Sequence, residues 1–187
     1  MREDDGPWQP ISNYGAMKLA SEACITAALE THLEQAWIFR FPNVVGSRAT
    51  HGVIYDFMGR LRDDPHALQV LGDGRQEKPY LHVAELVEAM LFIRERAGAK
   101  LNCFNIGPEG TATTVKRIAE AVVRRCAPGA AIRYTGGAQG WPGDVPRFQY
   151  SIDRLKQLGW QPRLTSDGAV DRAIEELARE AGFAPAA

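Results

Sequence analysis

The feature that most constrains the fold is the alternation of short apolar runs with longer segments of helical periodicity. Residues 36–41 form an apolar run that Pro42 ends, which is typical of a strand buried in a parallel sheet. Residues 68–71, 103–106 and 132–134 are further candidates for short strands. Helical segments separate these runs, so the sequence predicts an α/β protein.

The predicted helices are supported by apolar spacing and by residues that favour helix ends. Hydroxyl side chains precede several of them and can cap the first turn, and glycine follows some of them. The cap candidates are Ser12, Thr113 or Thr114, Ser151, and Thr165 or Ser166. The predicted helices span residues 12–32, 53–61, 83–91, 115–122, 151–159 and 165–182.

The composition excludes several classes of function. The chain has 187 residues, of which 45% are hydrophobic, so it can bury a sizeable core. Its formal charge of −1 gives no field that recruits nucleic acid or a membrane surface. Its apolar runs fall short of the roughly 18 residues of a membrane span, and the acidic start lacks the layout of a signal peptide. We expect a cytoplasmic protein with no nucleic-acid or membrane partner.

The cysteines and histidines indicate neither a disulfide framework nor a metal site. Cys24, Cys103 and Cys126 are odd in number and lack C-x-x-C spacing, so we expect core thiols. The histidines lack the clustered partners that a zinc site needs, and His82 is expected to serve the structure. The sequence therefore predicts no metal.

The candidate chemistry lies in the segment from Tyr14 to Lys18. Residues four apart share one face of a helix, so both side chains can point into one site. A free phenol titrates near about 10, and an adjacent ammonium favours its ionised form. Such a pair can move the proton of a hydroxyl group during hydride transfer. A half-buried tyrosine beside a solvated lysine is the alternative interpretation.

Short motifs accompany this pair in a fixed order, at residues 10–22, 40–46, 72–76, 80–83, 143–145 and 158–162. Together they resemble the extended short-chain dehydrogenase/reductase family of nucleotide-sugar epimerases and dehydratases. The segment around Tyr14 is similar to the active-site helix of that family. Residues 51–57, 78–80 and 140–144 look most like its UDP-glucose 4-epimerase branch.

The resemblance implies the C-terminal part of a Rossmann-type doubly wound parallel sheet plus a smaller α/β substrate-binding domain. The family opens with a G-x-x-G-x-x-G turn that holds the cofactor pyrophosphate, and this sequence has no such turn. The catalytic Ser or Thr of the family is also missing. We expect residues 1–107 to form a partial Rossmann domain, with substrate loops at 43–80, and residues 108–187 to form the C-terminal substrate-binding domain.

The resemblance implies NAD as cofactor and assigns residues to it. Tyr14 is expected to take the proton of the sugar hydroxyl. Lys18 is expected to bond the nicotinamide ribose and to keep Tyr14 ionised. Phe41 and Pro42 match positions that lie against the nicotinamide ring. The expected cofactor-binding residues are therefore Tyr14, Lys18, Phe41 and Pro42.

Four residues match the diphosphate and base contacts of the family. Asn43 corresponds to an asparagine that contacts the substrate diphosphate. Lys78 stands where many relatives have an arginine that grips the phosphates, and lysine keeps the charge but loses the bidentate fork. The backbone at Gln69 and Leu71 matches the uracil site.

Two further residues are expected at the nucleotide. Asp144 matches a carboxylate that bonds the ribose. Many relatives have an arginine where this chain has Trp141, and Arg147 is expected to supply that cation. These assignments predict a nucleotide-sugar substrate, with a UDP-sugar favoured.

The first hypothesis is an NAD-dependent nucleotide-sugar epimerase, similar to UDP-glucose/UDP-galactose 4-epimerase, that acts by transient oxidation at C4 and forms a homodimer when complete. A 4,6-dehydratase or decarboxylase of the same family is an alternative, because the residues that discriminate them are not in this chain. The second hypothesis is a catalytically silent fragment that lacks the NAD-binding half and pairs with another chain.

Overall fold

The computed structural model of the protein describes residues 2–6, 9–137 and 151–184. The helices are α1 (Asn13–Leu29), α2 (Val53–Asp63), α3 (Val83–Arg96), α4 (Val115–Cys126), α5 (Asp153–Leu158) and α6 (Ser166–Glu180). The strands are β1 (Ala36–Arg40), β2 (Asn43–Val45), β3 (Ala67–Val70), β4 (Glu77–Lys78), β5 (Tyr80–His82), β6 (Leu101–Asn105), β7 (Thr113–Thr114) and β8 (Ala131–Tyr134).

Most strand pairs among the described residues are parallel, as the sequence predicts. β1 pairs with β6 in a register that runs from Ala36 opposite Leu101 to Arg40 opposite Asn105. β2 pairs with β5 and β3 with β8, both in parallel, whereas β4 and β7 are antiparallel. In a parallel α/β arrangement, side chains that act on ligands follow the carboxyl ends of the strands.

The chain divides into two compact units that interleave along the sequence. Unit 1 comprises Met1–Phe41, Val87–Ile106 and Gln149–Gln161. Unit 2 comprises Pro42–Leu86, Gly107–Phe148 and Pro162–Ala187. The division into residues 1–107 and 108–187 stays a prediction.

Unit 1 is built on the β1–β6 pair and carries α1. Its buried side chains include Ile38, Ile93, Phe104 and Leu155. In contrast, α1 buries only Leu29 among its residues. Cys24 on this helix is exposed, so the expectation of a core thiol is wrong there; Cys103 and Cys126 are half-buried.

Unit 2 has a continuous apolar core in which three amphipathic helices bury one face each. The side chains of this core come from α2, α4, α6 and strand β3, and nearly all are inaccessible to solvent. Its members include Phe57, Met58, Leu61, Leu68, Val70, Ile118, Val122, Val170, Ile174 and Leu177. The core fixes the α2 helix and the strands beside it, and these elements form the cavity described below.

The predicted helices are confirmed, but several of their ends differ; α3 and α4 extend to Arg96 and Cys126, beyond the predicted residues 91 and 122. The Ser12 side chain caps α1 by accepting from the Gly15 N–H at 3.1 Å, and Thr114 and Thr165 cap α4 and α6 in the same way. The helix α5 begins after Ile152 rather than Ser151, although the Ser151 hydroxyl still accepts from the Asp153 N–H. The helix α1 ends at Leu29, earlier than the predicted residue 32.

Candidate functional site

Tyr14 and Lys18 lie on the same face of α1, one turn apart. The Lys18 ammonium nitrogen is 5.4 Å from the centroid of the Tyr14 ring, within the range of a cation–π contact. Tyr14 is 71% exposed, and Lys18 is exposed as well. The expected pairing of the two side chains is therefore present, and both are accessible to a ligand.

An ion pair fixes α1 against strand β1 and so holds the tyrosine helix in place. The Arg40 guanidinium donates two hydrogen bonds to the Glu22 carboxylate, at 2.9 and 2.6 Å. A third bond runs from Arg40 to the Glu3 carbonyl at 3.1 Å. The hydrogen bonds with Glu22 raise the pKa of Arg40. This bidentate pair was not predicted from the sequence, although Arg40 is the first residue of the motif at residues 40–46.

Unit 2 contains a cavity of about 440 Å³, a volume within the usual range of small-molecule sites. Its walls come from β2 and the loop after it, the first turns of α2, the residue after β3, and β4. Among the lining residues are Asn43, Gly46, Val53, Arg60, Leu71, Gln76, Lys78 and Tyr80. The cavity thus joins segments that are far apart in the sequence.

The amino-terminal end of α2 lines this cavity and suits an anion. Gly52 precedes the helix with φ of 103°, and no described side chain caps it, so first-turn N–H groups are available. Lys78 and Arg60 add two cations to the lining, against the single carboxylate of Asp56. The balance of charge and the helix dipole favour a phosphate-bearing ligand.

The predicted substrate residues fall partly on the cavity. Asn43, Leu71 and Lys78 line it. The carbonyl oxygen of Gln69, expected at the uracil site, accepts a hydrogen bond from Arg60 at 2.6 Å. Arg60 is therefore a cavity residue that the sequence did not single out, since it lies in α2 beyond the motif at residues 51–57.

The remaining predicted residues are not among the described residues that line the cavity. Phe41 follows β1 and is 46% exposed, whereas Pro42 is buried. Asp144, Arg147 and Trp141 lie outside the described residues.

The loop after β2 is held by a buried histidine and a carboxylate. The Glu176 carboxylate accepts from the Ser47 N–H at 3.0 Å and lies 3.0 Å from the His82 Nε2 atom. Because the His82 Nδ1 atom accepts from the Ala84 N–H, the ring proton is on Nε2 and donates to Glu176. His82 serves the structure, as predicted.

Gly46 permits this arrangement. A Cβ atom at this position would lie 2.6 Å from the Val83 side chain and 3.2 Å from the His82 ring. Its φ of 150° also disfavours other residues. The close approach holds the cavity-lining loop against the start of α3.

Replacing Glu176 with glutamine is expected to destabilise the protein by roughly 1–2 kcal/mol at neutral pH, because charge-assisted hydrogen bonds are lost. Burial opposes ionisation of Glu176, but hydrogen bonds from Arg172 and His82 outweigh it and hold the pKa of Glu176 below the ordinary 4.5. This stabilisation is present above pH 4.5 and is lost as the pH falls through the lower folded-state value. The free energies of unfolding of the unmodified protein and the variant, measured by denaturant melts, should therefore converge at acid pH. A difference that stays constant with pH would contradict the stabilising role of the ionised Glu176 carboxylate. The exposed Glu34→Gln variant is the control.

Neither a metal cluster nor a membrane span is found in the part of the chain that the structure describes. No group of three or more His, Cys, Asp or Glu residues there has the geometry to hold a metal ion. No described helix combines the length and apolarity needed to cross a bilayer.

A model of the NAD dependent epimerase/dehydratase family matches residues 2–107, which include Tyr14, Lys18 and part of the cavity. The chain belongs to the NAD-dependent epimerase/dehydratase family. The resemblance inferred from the motifs is thereby confirmed.

The relatives that match the chain are nucleotide-sugar enzymes. It is 29% identical to a UDP-glucose 4-epimerase of Azospirillum brasilense, with 96% of this chain and 58% of that protein covered. It is 22% identical to a dTDP-D-glucose 4,6-dehydratase of Mus musculus, with 92% and 49% covered. A crystal structure of a UDP-galactose 4-epimerase matches with a TM-score of 0.81 and 34% identity, with 96% and 57% covered.

These matches confirm the predicted fold class, the C-terminal part of a Rossmann-type α/β enzyme. The chain spans 58% and 49% of the length of the two curated relatives.

Proposed function

We propose that this chain supplies the tyrosine helix and the nucleotide-sugar site of an NAD-dependent 4-epimerase that acts on a UDP-sugar. The observation that carries the proposal is the cavity of unit 2, where a first turn without a side-chain cap, Lys78 and Asn43 meet. A nucleoside diphosphate needs cations and N–H donors together, and these groups provide both.

The charge of the cavity favours a substrate that carries phosphate groups. Lys78 and Arg60 contribute positive charge to a concave cavity, so their attraction for a phosphate is less screened than on an open surface. Asn43 adds an amide donor at the start of β2. A free sugar or a steroid carries no negative charge for these groups to bind.

The catalytic side rests on Tyr14 and Lys18. The Tyr14 phenolate takes the proton of the sugar 4-hydroxyl and returns it after the keto sugar has turned. Lys18 stabilises the negative charge on Tyr14 and bonds the nicotinamide ribose. Bound NAD would accept the C4 hydride and return it to the other face.

The residues present fit NAD only in part. Tyr14 and Lys18 are both accessible, as contacts to the nicotinamide end require. The pyrophosphate needs a glycine-rich turn that opens a helix, and the sequence has none. The proposed proton transfer therefore uses the Tyr14 and Lys18 side chains of this chain alone.

The isolated 187-residue chain is expected not to retain NAD on purification, because the contacts to the pyrophosphate are missing. Absorbance spectra and mass spectrometry of the purified chain would measure bound cofactor. Stoichiometric NAD would show that the cofactor site is complete within this chain.

The reaction itself is tested on a complete protein that contains this chain, supplied with NAD and UDP-galactose. A 4-epimerase yields UDP-glucose of unchanged mass, a dehydratase would release water, and a decarboxylase acting on a UDP-uronic acid would release carbon dioxide. Product mass and sugar NMR spectra distinguish the three. A product lighter by water or carbon dioxide, from the matching substrate, would replace the epimerase proposal with one of the alternatives.

A second candidate, a catalytically silent part that pairs with another chain, is favoured by the exposure of α1. Ile11, Tyr14 and Met17 are 71–72% exposed, and β1 pairs with β6 alone among the described strands. An apolar helix face beside an open strand edge favours association. Sedimentation of the isolated chain tests this: a stable monomer would count against it, and the homodimer also stays a prediction.

A further inference from the structure

Arg60 makes a hydrogen bond at the wall of the unit 2 cavity that the proposed function leaves unused. Arg60 lies on α2, is among the residues that line the cavity, and donates from Nη1 to the carbonyl oxygen of Gln69 at 2.6 Å. Its Cζ atom lies 6.0 Å from the centroid of the Phe57 ring, which is buried in the core. These two contacts tie the guanidinium to its own helix and to the backbone of β3.

The Gln69 carbonyl lies on the edge of β3 that faces away from β8. On the β8 side, the carbonyl oxygen of the next residue, Val70, accepts from the Thr135 N–H at 3.0 Å. Consecutive residues of a strand direct their backbone groups to opposite edges, so the Gln69 carbonyl points to the edge where none of the described strands pairs with β3. Arg60 therefore supplies the donor that a neighbouring strand would otherwise provide.

The edge that Arg60 occupies continues into the wall of the cavity. Beyond Val70, the Gly72 N–H again bonds on the β8 side, donating to the Thr135 hydroxyl at 2.9 Å. Leu71, between these two residues, lines the cavity and is 47% exposed, so a ligand can reach it. The Arg60 hydrogen bond thus acts on the backbone only two residues before an accessible wall of the site.

We propose that Arg60 is a positioning residue, whose guanidinium fixes the edge of β3 so that the backbone at Leu71 is held ready for the uracil base of the substrate. The inference rests on the proposed nucleotide-sugar function and adds to it a residue that governs selectivity for the base. A planar donor carried by a rigid helix removes conformational freedom that the strand edge would otherwise lose on binding.

The test compares the unmodified chain with Arg60→Met, by calorimetry with UDP and with ADP, which share the ribose and diphosphate and differ in the base. Methionine favours helices as arginine does but has neither charge nor donor. We expect the unmodified chain to prefer UDP, and the variant to lose roughly tenfold more affinity for UDP than for ADP. Loss of charge alone, or of fold stability alone, would weaken both nucleotides alike, so the ratio of the two affinities reports the positioning of the base.

Arg62→Met is the matched control. Arg62 lies on the same helix, donates to the Ala181 carbonyl at 3.4 Å and has its Cζ atom 5.9 Å from the centroid of the Phe183 ring, but it is not among the described residues that line the cavity. The control variant loses the same charge and similar contacts two residues away. Its ratio of UDP to ADP affinity should equal that of the unmodified chain.

An unchanged ratio in Arg60→Met, or an equal fall in Arg62→Met, would overturn the inference, and so would an unmodified chain that binds UDP and ADP equally tightly. If Arg60→Met fails to fold, Arg60→Lys takes its place. Lysine keeps the charge but loses the planar fork, so the ratio should fall again, by a smaller factor, and an unchanged ratio would overturn the inference. An unmodified chain that binds neither nucleotide would instead contradict the proposed function.

Discussion

Replacing Tyr14 with phenylalanine is expected to abolish turnover in a complete protein that contains this chain, while UDP-sugar binding stays nearly intact. One hydroxyl is removed without a change of shape, and in the proposed mechanism it is the group that takes the substrate proton. General acid/base catalysis contributes typically about 10²–10⁴-fold to a rate, so the loss should be at least of that order. Steady-state rates and UDP calorimetry on the same protein separate the two effects.

Lys18→Met is expected to reduce both turnover and NAD affinity, because in the proposed mechanism Lys18 supports the phenolate and bonds the cofactor ribose. Tyr134→Phe removes a phenol hydroxyl outside the cavity lining and serves as the matched control. Retention of most of the rate in Tyr14→Phe would mean that another group moves the proton.

Lys78→Ala is expected to weaken UDP binding by roughly 1.5–3 kcal/mol, the range of a hydrogen bond to a charged group. The lower end applies if Arg147, or the other cavity cation Arg60, compensates. Calorimetry at two salt concentrations would measure the loss, and the unmodified chain should show the stronger dependence on salt.

Two further variants test whether the charge of Lys78 binds the diphosphate. Arg75→Ala removes a cation from an 87% exposed side chain near the same strand, outside the cavity lining, and should leave UDP affinity unchanged. Lys78→Arg supplies a bidentate fork at the same position and should tighten binding. Unchanged affinity in both Lys78→Ala and Asn43→Ala would show that the diphosphate lies elsewhere.

The long elements and the placement of Tyr14 and Lys18 on one helix face were predictable because their signals are local. Ser12, Thr114 and Thr165 cap helices where the sequence places them, and the apolar run before Pro42 forms β1. The spacing of Tyr14 and Lys18 suffices to put both on one face of a helix.

The two- and three-residue strands β2, β4, β5 and β7 were missed, since such short segments have no periodicity to detect. Their pairing depends on partners far away in the sequence, and so does the cavity that they help to line. Arg60 and Glu176 gain their roles only through that folding.

The central claim is that the cavity of unit 2 is a site for a uridine diphosphate, and NMR of the ¹⁵N-labelled chain tests it most directly. As UDP is titrated in, the amide signals of Gly46, Leu71 and the first turn of α2 (Val53, Ile54 and Tyr55) should shift together with one saturation curve. The Lys78→Ala variant should need a higher UDP concentration for the same shifts. Saturable shifts confined to residues outside the cavity, or none in a folded chain, would contradict the account.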